Sequence, residues 1–244
     1  MSEETVVRQC APTLAGIKTG SLFPCPYDSR EELLQDVRSL NKRLVPKGLC
    51  LLPMRYQGNR ALLYLYRPRC LRRDLTNDLA TEVLSGAGYQ GKSCEQCVAR
   101  LMHRLREGQE FPHEVGLFLS YPPEDVKGFI DNKAENFKCA GLWKVYGDEK
   151  RARELFARYK RCTDIYCALW RRLEHRAARR AGVIKIFESE KGTENDEKDC
   201  CDLLERNGQH RGHGQRRPRG HEGRRCRGHA ADSRSGGCLR SVRL

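Results

Sequence analysis

From residue 148 to about 180, apolar side chains return every three or four positions: Ala152, Leu155, Phe156, Tyr159, Cys162, Tyr166, Leu169, Trp170 and Leu173. That spacing keeps one face of an α-helix apolar for about seven turns. The other face is rich in Arg and Lys, the composition of a solvated surface rather than of a nucleic-acid site. So long a stripe has to be covered, and the rest of the chain must supply a core that runs alongside it.

The remaining patterns are shorter. Ser29 with Glu32 three residues on is a capping-box start, and Leu33, Val37, Leu40 and Leu44 share one helical face before Pro46 and Gly48. Residues 49–56 and 61–67, separated by Gln57-Gly58-Asn59-Arg60, read as a β-hairpin. The second arm is apolar on both faces, as a strand covered from two sides would be. Helices are expected over about 74–86, 93–107 and 123–137, and further strands over 115–120 and 141–146, with an edge strand at 183–187. Residues 8–26, punctuated by Pro and Gly, read as an extended or looped lead-in with little helix. The expected fold is α+β: a mixed sheet of about four strands covered by helices, with one long C-terminal helix, in a single domain over residues 1–190.

Residues 191–244 differ in kind. From 203 onward, eleven Arg face only Glu205, Glu222 and Asp232, so this segment carries +8 of the chain's formal +14 and contains no aromatic residue. A stretch of this composition cannot bury enough apolar surface to offset its chain entropy, and a disordered basic tail is expected. The Met1-Ser2-Glu3-Glu4 start has no apolar signal-peptide core, and no window approaches a membrane span. These features point to the cytoplasm. There the 13 cysteines would be reduced thiols, which suits an anaerobic or reducing host.

The tail also has a second reading. Back-translated from Asn195 and shifted by one nucleotide, its codons permit an uninterrupted peptide with a methionine start and an apolar strand. A Ser-Gly-Thr-Gly-Asn-Thr loop and a helix follow. This peptide resembles the start of a flavodoxin, whose phosphate loop has that character. The Arg, Gly and His bias is then a by-product of an out-of-frame overlap with a flavodoxin gene, and nucleic-acid binding by the tail is not expected.

The densest unusual stretch runs from Glu110 to Ile130 and includes Phe-Pro-His-Glu-Val-Gly at 111–116 and Tyr-Pro-Pro-Glu-Asp at 121–125. Gly141-Leu142-Trp143-Lys144-Val145-Tyr146 follows closely. With the segment from Cys10 to Lys18, these motifs resemble a family of uncharacterised proteins from anaerobic, clostridia-like bacteria, known only as a domain of unknown function and often encoded beside flavodoxin. The resemblance covers about residues 8–175 and implies a family, not an activity.

His113 and Glu114 can form an acid/base pair at neutral pH, or His113 can simply stabilise a turn. A zinc-protease helix needs a second His at 117, where Leu stands. Cys94-Glu-Gln-Cys97 has no second Cys pair to complete a zinc site, and no metal is expected. Cys10 with Lys18 can make an anion or thiol site, or the glycines there can serve only a turn. Tyr121, Lys144 and Tyr146 complete the ligand-binding candidates, since Lys144 and Tyr146 share one face of a strand while Trp143 and Val145 share the other.

The reading that follows is an accessory protein of unknown activity in a flavodoxin-linked redox or iron-response locus, with flavodoxin or another redox protein as partner. The alternatives are a small enzyme whose His113, Glu114, Cys10 and Lys18 converge on one pocket, and a basic nucleic-acid-binding protein. The sequence specifies no cofactor.

Overall fold

Ser2 accepts from the Thr5 N–H and opens α1 (Glu3–Leu14), whose Val6, Val7, Cys10, Ala11 and Leu14 are buried. The computed structural model describes residues 1–108 and 110–177. The expected 183–187 strand and the 191–244 tail lie outside the described residues. The chain continues through β1 (Gly20–Pro26), α2 (Arg30–Leu44), a single 3-10 turn (Val45–Lys47), β2 (Cys50–Gln57) and β3 (Arg60–Tyr66). Next come α3 (Pro68–Leu75), α4 (Asp78–Gly86), α5 (Cys94–Glu107), α6 (Val115–Phe118) and α7 (Pro123–Asp131). A short ribbon, β4 (Cys139–Ala140) with β5 (Lys144–Val145), precedes α8 (Glu149–Ala177).

The fold is α+β with a long C-terminal helix. Its main sheet has three strands in the order β1-β3-β2, both pairs antiparallel, and the β4-β5 ribbon stands apart from it. The hairpin falls where the sequence placed it. Residues 63–66 of β3 are all buried, so the sheet is covered on both faces. α2 and α5 pack on β2, and α1 packs on β1 and on α8. β1 lies at an edge, where Pro24 and Pro26 remove donors at little cost. On the other edge strand, the buried Asn41 amide donates to the Leu51 carbonyl at 2.8 Å and accepts its N–H at 2.9 Å. One side chain thus takes the place of a missing strand.

Five elements depart from the sequence reading. The lead-in is helical despite Pro12, because the face buried against α8 and β1 outweighs one missing backbone hydrogen bond. The apolar run at 115–118 is a buried helical turn, not a strand; a short run of this kind has no period that separates the two. The expected 74–86 helix is two helices, divided where Asn77 caps α4 by accepting from Leu79 and Ala80. The expected 141–146 strand shrinks to β5, and α7 stops at Asp131, before Lys133, Ala134 and Asn136 adopt left-handed backbone. The alternation around β5 nonetheless holds: Trp143 and Val145 are buried, Lys144 and Tyr146 only partly.

Gly20 begins β1 where no side chain fits. A Cβ there would lie 2.5 Å from the Phe118 carbonyl oxygen and 2.6 Å from the Tyr64 ring. Tyr64 is itself anchored on that carbonyl, its hydroxyl donating at 2.7 Å. This close approach brings α6 and the turn after it against the start of β1, and the candidate site lies along that seam.

Candidate functional site

The turn between α1 and β1 is built from backbone. The N–H groups of Ile17 and Lys18 both donate to the Pro12 carbonyl, at 3.0 and 3.1 Å, and Gly16 takes a left-handed φ of 74° to let the chain reverse. Arg67 caps the end of α1, donating to the carbonyls of Thr13 at 2.9 Å and Leu14 at 2.7 Å, where a cation also complements the helix dipole. Lys18 is thereby held at the wall of a cavity of about 550 Å³, whose other walls include Asp74, Ser120, Tyr121, Arg151 and Tyr159.

Lys18 is half-buried, and its ammonium lies 5.7 Å from the centre of the Tyr121 ring and 6.0 Å from that of Tyr159. Among the described residues no carboxylate pairs with it. Burial brings its pKa down to about 8, against a small upward pull from Cys10. Asp74 borders the same cavity but is engaged elsewhere, accepting from the Thr19 hydroxyl and from Arg73 at 2.9 Å. Burial pushes the Tyr121 phenol up to about 12, and raises that of Tyr159 as well. The wall therefore presents one uncompensated amine between two protonated phenols, with Arg151 exposed at the rim.

Tyr121 also borders a second, small recess of about 40 Å³ with His113, Phe129, Trp143 and Lys144. Its ring stacks on Trp143 at 4.8 Å, and the indole N–H donates to the buried Asp125 carboxylate at 2.7 Å. The other oxygen of Asp125 accepts from the N–H groups of Tyr146 and Gly147, both at 2.7 Å. Asp125 thus fixes the β5 segment on α7. Lys144 donates to the Ala134 carbonyl at 2.8 Å, its ammonium 4.7 Å from the Phe137 ring centre.

The candidates from sequence fall into three places. Lys18 and Tyr121 share the cavity at the α1–β1 turn; His113, Tyr121 and Lys144 share the recess next to it, and His113 and Glu114 line a further cavity of about 550 Å³. His113 is exposed and lies on the Phe129 ring at 4.9 Å. Glu114, by contrast, is buried, ion-paired with Arg104 at 2.6 Å and accepting from the Tyr89 hydroxyl at 2.9 Å. Cys10 has no exposed surface, and burial holds its thiol protonated. Tyr146 packs its ring against Gly128. Cys94 and Cys97 lie in the first turn of α5, behind a Ser93–Gln96 capping box.

Sequence reasoning passed over Ser120, Arg151 and Tyr159. Tyr159 obeys the core spacing of α8, and only the packing shows that its ring also walls a cavity. Ser120 carries a left-handed φ of 60°, rare for a residue with a side chain, and no sequence pattern announces it.

The α+β fold thus places in a tyrosine-walled cavity a lysine that has no carboxylate partner among the described residues. The chain belongs to the family described as a protein of unknown function, DUF3793, whose family model matches residues 6–178. No curated protein and no solved structure matches it. Among the described residues, no helix is long and apolar enough to cross a membrane.

Proposed function

We propose that this chain binds a small anionic ligand, of carboxylate or phosphate class, in the Lys18 cavity. One observation carries the reading: an ammonium drawn partly out of water, flanked by two aromatic rings, with no carboxylate among the described residues to balance it. A charge in that position is costly until a ligand supplies the counter-charge. Nearby Arg151 adds a second cation at the rim, and the volume suits a metabolite. Thermal unfolding in phosphate, pyrophosphate and citrate, against chloride of equal ionic strength, tests this. At least one anion should raise Tm by several degrees, as ligand linkage requires, and Lys18→Gln should abolish the rise. No rise with any anion, or an equal rise in Lys18→Gln, overturns it.

The setting we infer is cytoplasmic, in an accessory role at a flavodoxin-linked redox or iron-response locus, with flavodoxin or another redox protein as partner. The permitted flavodoxin-like frame from Asn195 onward supports it, as does the resemblance of the 110–130 motif to proteins encoded beside flavodoxin. The same frame disfavours a nucleic-acid role, because it accounts for the basic tail without one. The nucleotide sequence decides: a flavodoxin start codon spanning the codons for Asn195 and Asp196 supports the overlap, and its absence removes it.

A further inference from the structure

An ammonium without a counter-ion has two ways to relieve its burial. It can recruit an anion, or it can release its proton and become a nucleophile. The surroundings of Lys18 favour combining them. Its backbone N–H and that of Ile17 both donate to the Pro12 carbonyl at the end of α1, so the amine projects from a rigid turn. Two tyrosine rings lie about it, with centres 5.7 and 6.0 Å from the ammonium, and leave it only partly hydrated. The other ionisable groups on the cavity wall are Cys70, Arg73, Asp74, Tyr121, Glu124, Arg151 and Tyr159. Asp74 is committed to Arg73 and Thr19, and Cys10, behind the wall, is a protonated thiol. The amine is half-released at about pH 8, within reach of physiological conditions.

We propose that the cavity takes an anionic carbonyl compound, a 2-oxo acid or a phosphorylated aldehyde, and that Lys18 Nζ condenses with its carbonyl carbon while Arg151 holds the anionic end. The proposal rests on the anion-binding reading and names the substrate class within it. The nitrogen lone pair forms the C–N bond as the carbonyl π pair moves onto oxygen. That oxygen takes up protons and departs as water, and the nitrogen closes the C=N bond. One ammonium and one carbonyl give one iminium and one water, with no oxidant or reductant. Tyr121 and Tyr159 keep their protons at neutral pH, so the wall holds donors for the departing hydroxyl.

The test is reductive trapping on the full chain. The protein is incubated at pH 8 with pyruvate, pyridoxal 5′-phosphate or uncharged propionaldehyde, each with cyanoborohydride, and every lysine is mapped by peptide mass. Lys18 should be labelled at least about tenfold faster than any other lysine by an anionic carbonyl, because surface lysines stay protonated at this pH. Propionaldehyde and the Arg151→Gln variant should lower that preference. Faster labelling by pyruvate assigns a 2-oxo acid, and faster labelling by pyridoxal phosphate a phosphorylated aldehyde. Lys18 labelled no faster than surface lysines by either anionic probe overturns the proposal. If phosphate, pyrophosphate or citrate still raises Tm in that case, anion binding survives and only the condensation falls; if none does, both fall. Wild-type mapping suffices, so the result does not depend on a variant that folds.

Discussion

The backbone N–H of Thr19 donates to the Ser120 hydroxyl at 2.7 Å, joining residues 101 positions apart. The Thr19 hydroxyl in turn donates to Asp74, so three segments meet at the cavity rim. Ser120 provides its oxygen from a left-handed backbone, a conformation that costs about 1–2 kcal/mol outside glycine.

Ser120→Ala leaves the Thr19 N–H without its partner and keeps the strained backbone, and should cost about 1–3 kcal/mol in urea unfolding. Ser120→Gly loses the same hydrogen bond but relieves the strain, so it should cost less than the alanine variant. Equal stabilities for all three proteins would show that the rim contact contributes nothing.

Asn41 supplies both hydrogen-bonding groups that Leu51 would otherwise take from a neighbouring strand. Asn41→Ala buries an unpaired N–H and an unpaired carbonyl, and should lower stability by about 2–4 kcal/mol. Amide exchange at Leu51 should accelerate well beyond that of residues in β3. Slow exchange in the variant would show that another group protects the Leu51 N–H and that Asn41 is dispensable there.

An ordinary lysine loses its proton near 10.5, Lys18 near 8. Below about pH 8 folded and unfolded chains both carry the charge, and the folded chain bears the full cost of burying it. Between about 8 and 10.5 the unfolded chain binds more protons, so this group makes stability rise with pH. Cys10 acts in the opposite sense above pH 9, where only the unfolded chain releases the thiol proton. Wild type and a Lys18 variant share that thiol, so the gap between them at pH 7 and at pH 9 reports the lysine. Lys18→Met should stabilise the ligand-free protein by about 1–2 kcal/mol at pH 7, allowing for the amine's remaining hydration, and the gap should narrow at pH 9. A constant gap would show that Lys18 keeps its proton throughout.

Trp170 is 7% exposed in the main core, and its indole N–H is buried with no hydrogen-bond partner among the described residues. Trp170→Ala should cost about 3–5 kcal/mol through the cavity it leaves. Trp170→Phe keeps most of the packing and removes the unpaired donor, so its cost should be under half as large. If alanine and phenylalanine prove equally damaging, the position depends on indole shape rather than on volume.

Local patterns made much of this chain legible from sequence alone. The apolar stripe of α8, the Ser29-capped α2, the β2-β3 hairpin and the Ser93-capped α5 all lie where spacing and capping chemistry put them, because each is decided by residues within a few turns of one another. Lys18 and Tyr121 were legible as candidates, standing in segments that no core pattern demanded. Tertiary structure alone decided the rest. α1 runs through Pro12 because α8 and β1, distant in sequence, cover its face. The 115–118 segment coils because the seam against Gly20 and Tyr64 sets its path. The character of Lys18 depends on Tyr121 and Tyr159 closing over it and on Asp74 being engaged by Arg73 and Thr19. A charge is costly or cheap according to what surrounds it in space, and the order of residues along the chain does not carry that information.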